Sequence, residues 1–406
     1  MGITYKFNDL KFGFIILATL ISIRLWSFQL IDKRIYDYLD EVLLLAFAVI
    51  LVIHINKVRK SKLVFSSNVM LLIALPFLGI FSALIYHEQP MSLSFISLRT
   101  AFFWLFYFVL HAYNIPPKKI IHFMIFVGCV WIFLTVVQQF TYPHYYFYTR
   151  DDSDDSSIYR AGVYRFMLNR HHYGVFVVVY FFYRFLITQK LKNLAFVFIG
   201  LLGFYFFGTR QFALAVLLCM CISIFYVKGM AKLNSLVFVT GGLVVLFVFK
   251  DVLLSEYIRM TSEQLESNDD IRMLCAQFYF YDYWPHWTAK IIGNGVPNSD
   301  SKYGIEANNI RDYFHFFKSD IGIIGAYNTF GILYVLNIFW LNIKGMKNKY
   351  YTRENKYLKL MFINALILIF ISEYYFNSSA IPFYCFVLYL VDKAYEEKSL
   401  EEPDIA

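Results

Sequence analysis

The run Ile120–Phe140, IIHFMIFVGCVWIFLTVVQQF, contains no Asp, Glu, Lys or Arg, and it decides the fold class. Its apolar residues follow one another without the alternation of a half-exposed strand. Its length matches the roughly 20 residues a helix needs to cross a hydrocarbon core of about 30 Å. In lipid only helices and closed barrels satisfy their own backbone groups, so an unbroken run of this kind predicts a spanning helix. Similar runs lie on both sides of it. Before it come Phe12–Leu30, Leu39–Ile55, Val69–Tyr86 and Phe95–Ala112. After it come Tyr173–Ile187, Leu194–Phe207, Gln211–Tyr226, Leu236–Phe249, Ile321–Ile343, Leu358–Tyr375 and Ala380–Val391. The expectation is an all-α polytopic membrane protein of about twelve spans, or eleven if the shortest do not cross.

Composition agrees with that class. The chain is 59% hydrophobic, 21% aromatic and 16% charged, against the roughly one-quarter charged residues of a soluble domain. Residues 1–406 therefore read as one integral membrane domain. It has an outer loop over 141–173, a larger and partly helical outer loop over 254–320, and a short acidic tail over 392–406.

Cations orient the spans, because Lys and Arg in short loops resist translocation. Lys57, Arg59, Lys60 and Lys62, then Lys118 and Lys119, Lys190 and Lys192, Lys228 and Lys232, and Lys344 to Lys356 all fall on one side. With that side cytoplasmic, both termini are cytoplasmic and both long loops face outward. The first span follows Lys6 and Lys11 but has Arg24 within it and no small-residue cleavage site, so it reads as retained. The net charge of +8 belongs mostly to the cytoplasmic loops and implies contact with anionic lipid, not nucleic acid. The five cysteines, Cys129, Cys219, Cys221, Cys275 and Cys385, show neither a disulfide framework nor zinc spacing.

The outer loops carry the candidate chemistry. In the first, Asp151, Asp152, Asp154 and Asp155 form an acidic knot that reads as a solvated loop tip and lacks the spacing of a calcium loop. Arg160, Arg165 and Arg170 follow, just before a span. Arg210 crests the Gly208-Thr209-Arg210-Gln211 turn, and Arg99 lies about a turn inside the fourth span, with Glu373 as a competing structural partner. A guanidinium grips phosphate with a planar fork, so these arginines suit an anionic headgroup; as outer-surface residues they also suit plain interfacial anchoring.

The larger loop supplies Arg272, an aromatic stretch with Tyr283, Trp284 and Trp287, the turn Gly293-Asn294-Gly295, and a return through His315 to Asp320. The aromatic residues fit either interfacial packing or stacking on sugars. Asp320 fits either a general base or an N-cap for a helix starting at Ile321.

The early loop arginine, the Ile292-Gly293-Asn294-Gly295 turn, the His315 to Asp320 entry to a glycine-rich span, the Gly-Thr-Arg-Gln turn and the Arg160-Ala-Gly-Val-Tyr-Arg-Phe run together resemble the O-antigen polymerase and O-antigen ligase superfamily. The Ser319-Asp320-Ile-Gly-Ile-Ile-Gly entry, with no His-Asn pair beside the span, is similar to the polymerase branch.

The resemblance implies a GT-C-like, metal-independent glycosyltransferase without a cofactor, in a bacterial plasma membrane. Its substrate would be an undecaprenyl-pyrophosphate-linked oligosaccharide, with membrane lipid and a chain-length regulator as partners. It assigns Arg210, Arg272, Arg165 and Arg99 to the pyrophosphate, His315 or Asp320 to the proton of the acceptor hydroxyl, and Tyr283, Trp284, Trp287 and Asn294 to the glycan. Transfer to a lipid A core by a ligase is the first alternative. A flippase is the second, against which the few and scattered charges inside the spans (Arg24, Arg184, Glu373) count.

Overall fold

The structure is a computed structural model, and it describes residues 2–28, 31–142, 144, 146–147, 159–160, 163–164, 168, 170–229, 232–233, 236–237, 240, 262, 271–371 and 375–401. The Asp151 to Asp155 knot, Arg165, the segment from Ser255 to Asp270 other than Ser262, Glu373 and most of the ninth expected span lie outside the described residues.

The regular structure of the described chain is helical apart from a two-residue antiparallel pairing, Tyr159–Arg160 with Val163–Tyr164, and a bridge between Phe28 and Phe147. Among the described residues five helices are long and apolar enough to cross a membrane: Arg34–Lys60, Ser66–His87, Met91–Tyr113, Pro117–Thr141 and Ile323–Gly345. Three shorter apolar helices are Leu191–Phe207, Arg210–Ile224 and Tyr357–Leu368. The chain is thus an all-α membrane protein.

It divides into two units, Met1–Asp40 with Ile115–Asn268 and Tyr351–Asn364, and Glu41–Asn114 with Asp269–Tyr350 and Ala365–Ala406. In the first unit, α1 (Gly2–Ser22) ends before a turn in which Arg24, Leu25 and Trp26 all have positive φ, and α2 (Lys33–Lys60) begins beyond it. The expected first span therefore stops well short of Leu30. The unit continues with α7 (Pro117–Thr141), α8 (His171–Thr188), α9 (Leu191–Phe207) and α10 (Arg210–Ile224). Small residues let these helices approach closely. A Cβ on Gly128 would lie 2.4 Å from the Tyr173 carbonyl oxygen, and one on Gly174 would lie 2.5 Å from the Trp131 ring.

The second unit is built around broken helices. The span Ser66–His87 consists of α3 (Ser66–Ala74), a 3-10 stretch Leu75–Leu78 that contains Pro76, and α4 (Gly79–His87). Pro lacks the N–H that would continue the ladder, which accounts for the break. The span Met91–Tyr113 consists of α5 (Met91–Ser97), a 3-10 stretch Leu98–Trp104, and α6 (Leu105–Tyr113). The outer-loop residues form α11 (Ile271–Gln277), a π turn Phe278–Asp282, α12 (Ala289–Ile292) and α13 (Lys302–Phe314). They lead into α14 (Ile323–Gly345).

After α15 (Tyr357–Leu368), the final helix α16 runs Ile381–Glu401. It continues through Asp392 without a break. That carboxylate is buried, accepting hydrogen bonds from the Tyr107 hydroxyl and from the Val64 N–H at 3.2 Å, and it lies 3.0 Å from His111 Nε2. Enclosing an ionisable group demands partners, and α6 and Val64, just ahead of α3, supply them.

Candidate functional site

The centre of the second unit is a break in α14. Its sequence, Thr329-Phe330-Gly331-Ile332, carries one of the glycines that interrupt this span, and Gly331 has φ 80° and ψ 175°. A helix interrupted there leaves the carbonyls of Asn328 and Thr329 without their intrahelical donors. The Asn294 N–H donates to Asn328 at 3.0 Å and the Gly295 N–H to Thr329 at 2.9 Å. Such contact requires glycine on both sides. A Cβ on Gly293 would lie 2.2 Å from the Thr329 oxygen, and one on Gly331 would lie 2.1 Å from the Ile291 oxygen. The Gly293-Asn294-Gly295 turn is therefore a plug fitted into a broken span.

Two buried amides fix the plug. Asn294, fully buried, donates through Nδ2 to the Tyr283 carbonyl at 3.2 Å and to Asn328 Oδ1 at 3.3 Å. Asn328 donates to the Tyr279 and Tyr283 carbonyls at 2.9 and 3.1 Å.

The far end of α4 holds the rest of the loop. The Tyr86 and Thr288 hydroxyls are 2.9 Å apart, and the His87 ring stacks on Tyr303 with centroids at 4.0 Å. Gln89, fully buried, acts as a clamp: Oε1 accepts from the Asn298 N–H and the Ser301 hydroxyl, each at 2.8 Å. Its Nε2 donates to Ser94 at 2.8 Å and to the Val296 carbonyl at 3.0 Å.

Beside this clamp opens a cavity of about 410 Å³, lined by Arg99, Ser97, Thr100, Asn298, Ser299 and Asn308 among others. Arg99 sits in the 3-10 stretch between α5 and α6, a geometry that recurs where a helix is bent for a purpose. Its guanidinium meets Glu41 at 3.0 Å. The carboxylate expected to compete for it, Glu373, lies outside the described residues.

The other expected site residues of this unit are placed as follows. Tyr283 is half-buried, its hydroxyl donating to Glu306 at 3.0 Å, and burial raises its phenol above the ordinary range. Trp284 donates from Nε1 to the Phe280 carbonyl at 2.9 Å and packs on Tyr327 with centroids at 4.9 Å. Trp287 is 64% exposed, an open aromatic face. Arg272 is exposed on the first turn of α11.

His315 is exposed and ends α13 with φ 55°, while Asp320 is half-buried in the 3-10 turn Lys318–Ile321. That turn packs on α11, where Cys275 Sγ approaches the Phe317 carbonyl at 3.7 Å. Arg272, His315 and Asp320 thus lie on neighbouring elements. The N-cap of α14 is Gly322, with no side-chain capping bond, so Asp320 does not cap that helix.

The first unit contains Arg210, the first residue of α10, after the left-handed Gly208. Two residues on, Phe212 packs against His171 with centroids 3.8 Å apart, which brings the N-termini of α8 and α10 together. Arg170, immediately before α8, is 5% exposed and donates from Nε to the Ile23 carbonyl at 3.0 Å. Burial, helped by the Arg24 charge, lowers its guanidinium to about 10, so it stays charged at neutral pH. Arg24 in turn pairs with Asp37 at 2.9 Å and Asp40 at 3.5 Å.

Sequence reading passed over three features of these sites. They are the His87 stack on Tyr303, the Gln89 clamp, and the packing of His171 on His172 and Phe212. Only contacts between distant segments reveal them. Compared with models of known protein families and with curated proteins, the chain matches none.

Proposed function

We propose that this chain is a polysaccharide polymerase, a GT-C-like glycosyltransferase of eleven or twelve spans working at the outer face of a bacterial plasma membrane. In the reaction an acceptor hydroxyl oxygen on a new lipid-linked repeat unit bonds to the anomeric carbon of the growing glycan. The bond from that carbon to undecaprenyl pyrophosphate breaks, the lipid pyrophosphate leaves with the electron pair, and the hydroxyl proton passes to His315 or Asp320. Arg210 and Arg272, with Arg165, offset charge on the leaving group, which is electrostatic stabilisation without a metal. Trp287 offers a face for a sugar ring, and Tyr283 and Trp284 stand in the same aromatic stretch. A chain-length regulator would act on the assembled enzyme from outside this chain.

The observation that supports this reading above the others is the plug. The large loop is fitted into the break of a span and borders a polar cavity with an arginine in its wall. That arrangement suits a lipid-anchored substrate whose reacting group lies at the membrane surface. Growth of long polymer in a host lacking its own polymerase tests it. Arg210→Ala and Arg272→Ala should reach wild-type abundance yet leave single repeat units, and Arg→Lys should restore part of the chain length, because a point charge lacks the planar fork. Wild-type chain lengths from both alanine variants would remove the arginine assignment. Repeat units stranded inside the cell on loss of the chain would indicate a flippase instead.

A further inference from the structure

We infer that the cavity beside the Gln89 clamp binds a sugar that carries a carboxylate, with Arg99 as the residue that recognises the acid. The inference rests on the polysaccharide reading above, and it moves Arg99 from the lipid pyrophosphate to the glycan itself.

The cavity's volume of about 410 Å³ falls within the roughly 300–1,000 Å³ usual for small-molecule sites. Its lining contains one cation, Arg99, and no carboxylate among the described residues. The remaining polar wall consists of neutral hydroxyls and amides, the groups that pair with sugar hydroxyls. Asn298 is committed to the fold: its Nδ2 donates to the Leu93 carbonyl at 3.3 Å and to Ser97 at 3.1 Å, and its Oδ1 accepts from the Asp300 N–H at 3.0 Å. Thr100 and Asn308, by contrast, make no side-chain hydrogen bond within the described protein, which leaves both groups for a ligand.

One Arg99 partner points the same way. Glu41 holds the guanidinium at 3.0 Å but is itself 57% exposed and is not part of the cavity wall. An exposed pair of this kind is weak and exchangeable, and its geometry shows that this guanidinium accommodates a carboxylate. A sugar carboxylate entering from the cavity would compete with Glu41 for one planar fork, while its ring hydroxyls meet Thr100 and Asn308. The residues Ile96, Val296 and Pro297 supply the apolar part of the wall against which a ring can rest.

Purified full-length chain in lipid nanodiscs, titrated with methyl glucuronide and with methyl glucoside and followed by ligand-detected NMR, separates this inference from the catalytic one, since no turnover is needed. The acid should bind about tenfold more tightly than the neutral sugar, the usual return on a charge-assisted pair of hydrogen bonds. Arg99→Gln should abolish that preference and leave the neutral sugar unchanged. Glu41→Gln should tighten binding of the acid, a result that a merely structural pair would not give. Asn308→Ala should weaken both sugars to the same degree.

Should Arg99→Gln fail to fold, Arg99→Lys serves, with a partial loss of preference expected. Equal binding of the two sugars by the wild-type chain, or a preference that survives Arg99→Gln, overturns the inference. So does geranyl pyrophosphate displacing the glucuronide at far lower concentration in an Arg99-dependent way, since the cavity would then be the pyrophosphate seat. None of these outcomes depends on polymer growth, so failure here and failure of the polymerase reading are distinct results.

Discussion

Two asparagines, Asn294 and Asn328, show how the outer loop is tied to the membrane part. Together their amides satisfy the carbonyls of Tyr279 and Tyr283 and bond to each other. Leaving a buried acceptor unsatisfied costs about 1–3 kcal/mol, so Asn294→Ala should lower the thermal midpoint and the abundance of the protein in membranes. Trp287 stands in contrast. With 64% of its surface exposed it supports little of the fold, so Trp287→Ala should leave the midpoint unchanged while shortening the polymer. A thermal-shift measurement beside a chain-length gel distinguishes the two residues. A stable, fully active Asn294→Ala protein would mean that the plug is not held by this amide. Asn294 also shows a limit of sequence reading: the resemblance assigned it to the glycan, but its amide is turned inward onto Tyr283 and Asn328.

The long helices were legible in the sequence because continuous apolar runs, without the alternation of a barrel strand, satisfy their backbone in lipid only as helices. Their breaks were less so. Pro76 interrupts α3 and α4 for a reason visible in the sequence, whereas a glycine such as Gly331 permits a break without fixing its place, and the close approach of Gly293 and Ile291 is seen only in the fold. The enclosure of Asp392 by Tyr107, His111 and Val64 has no sign in the sequence, because it joins segments far apart in the chain.

Gly331→Ala tests the element directly. Its φ of 80° is costly for a residue with a Cβ, about 1–3 kcal/mol, and the added carbon would meet the Ile291 oxygen at 2.1 Å. Folded protein should fall sharply. At Gly13, where nothing lies within 4 Å of an added Cβ, alanine should be tolerated. Equal yields for the two variants would show that α14 closes into an ordinary helix.

Orientation is the property of the whole molecule on which the functional reading depends, and one span of the second unit makes it testable. The helix Ser66–His87 covers about 33 Å at 1.5 Å per residue. At its start Lys344 Nζ donates to the Val64 carbonyl and lies 5.7 Å from the Phe65 ring; at its end His87 stacks on Tyr303 of the large loop. Lys344 and the large loop are thus at opposite ends of a single span. Cysteines placed at exposed Asp300 and exposed Lys349 should therefore respond differently to a membrane-impermeant maleimide applied to spheroplasts. Asp300→Cys should label at once, and Lys349→Cys only after permeabilisation. The background should be low because Cys275, the one cysteine of the large loop, is 2% exposed. The reverse order of labelling would place the plug, the Arg99 cavity and Trp287 in the cytoplasm. Lipid-linked repeat units await polymerisation on the other side, so that result would end the case for a polymerase even if every arginine variant were inactive.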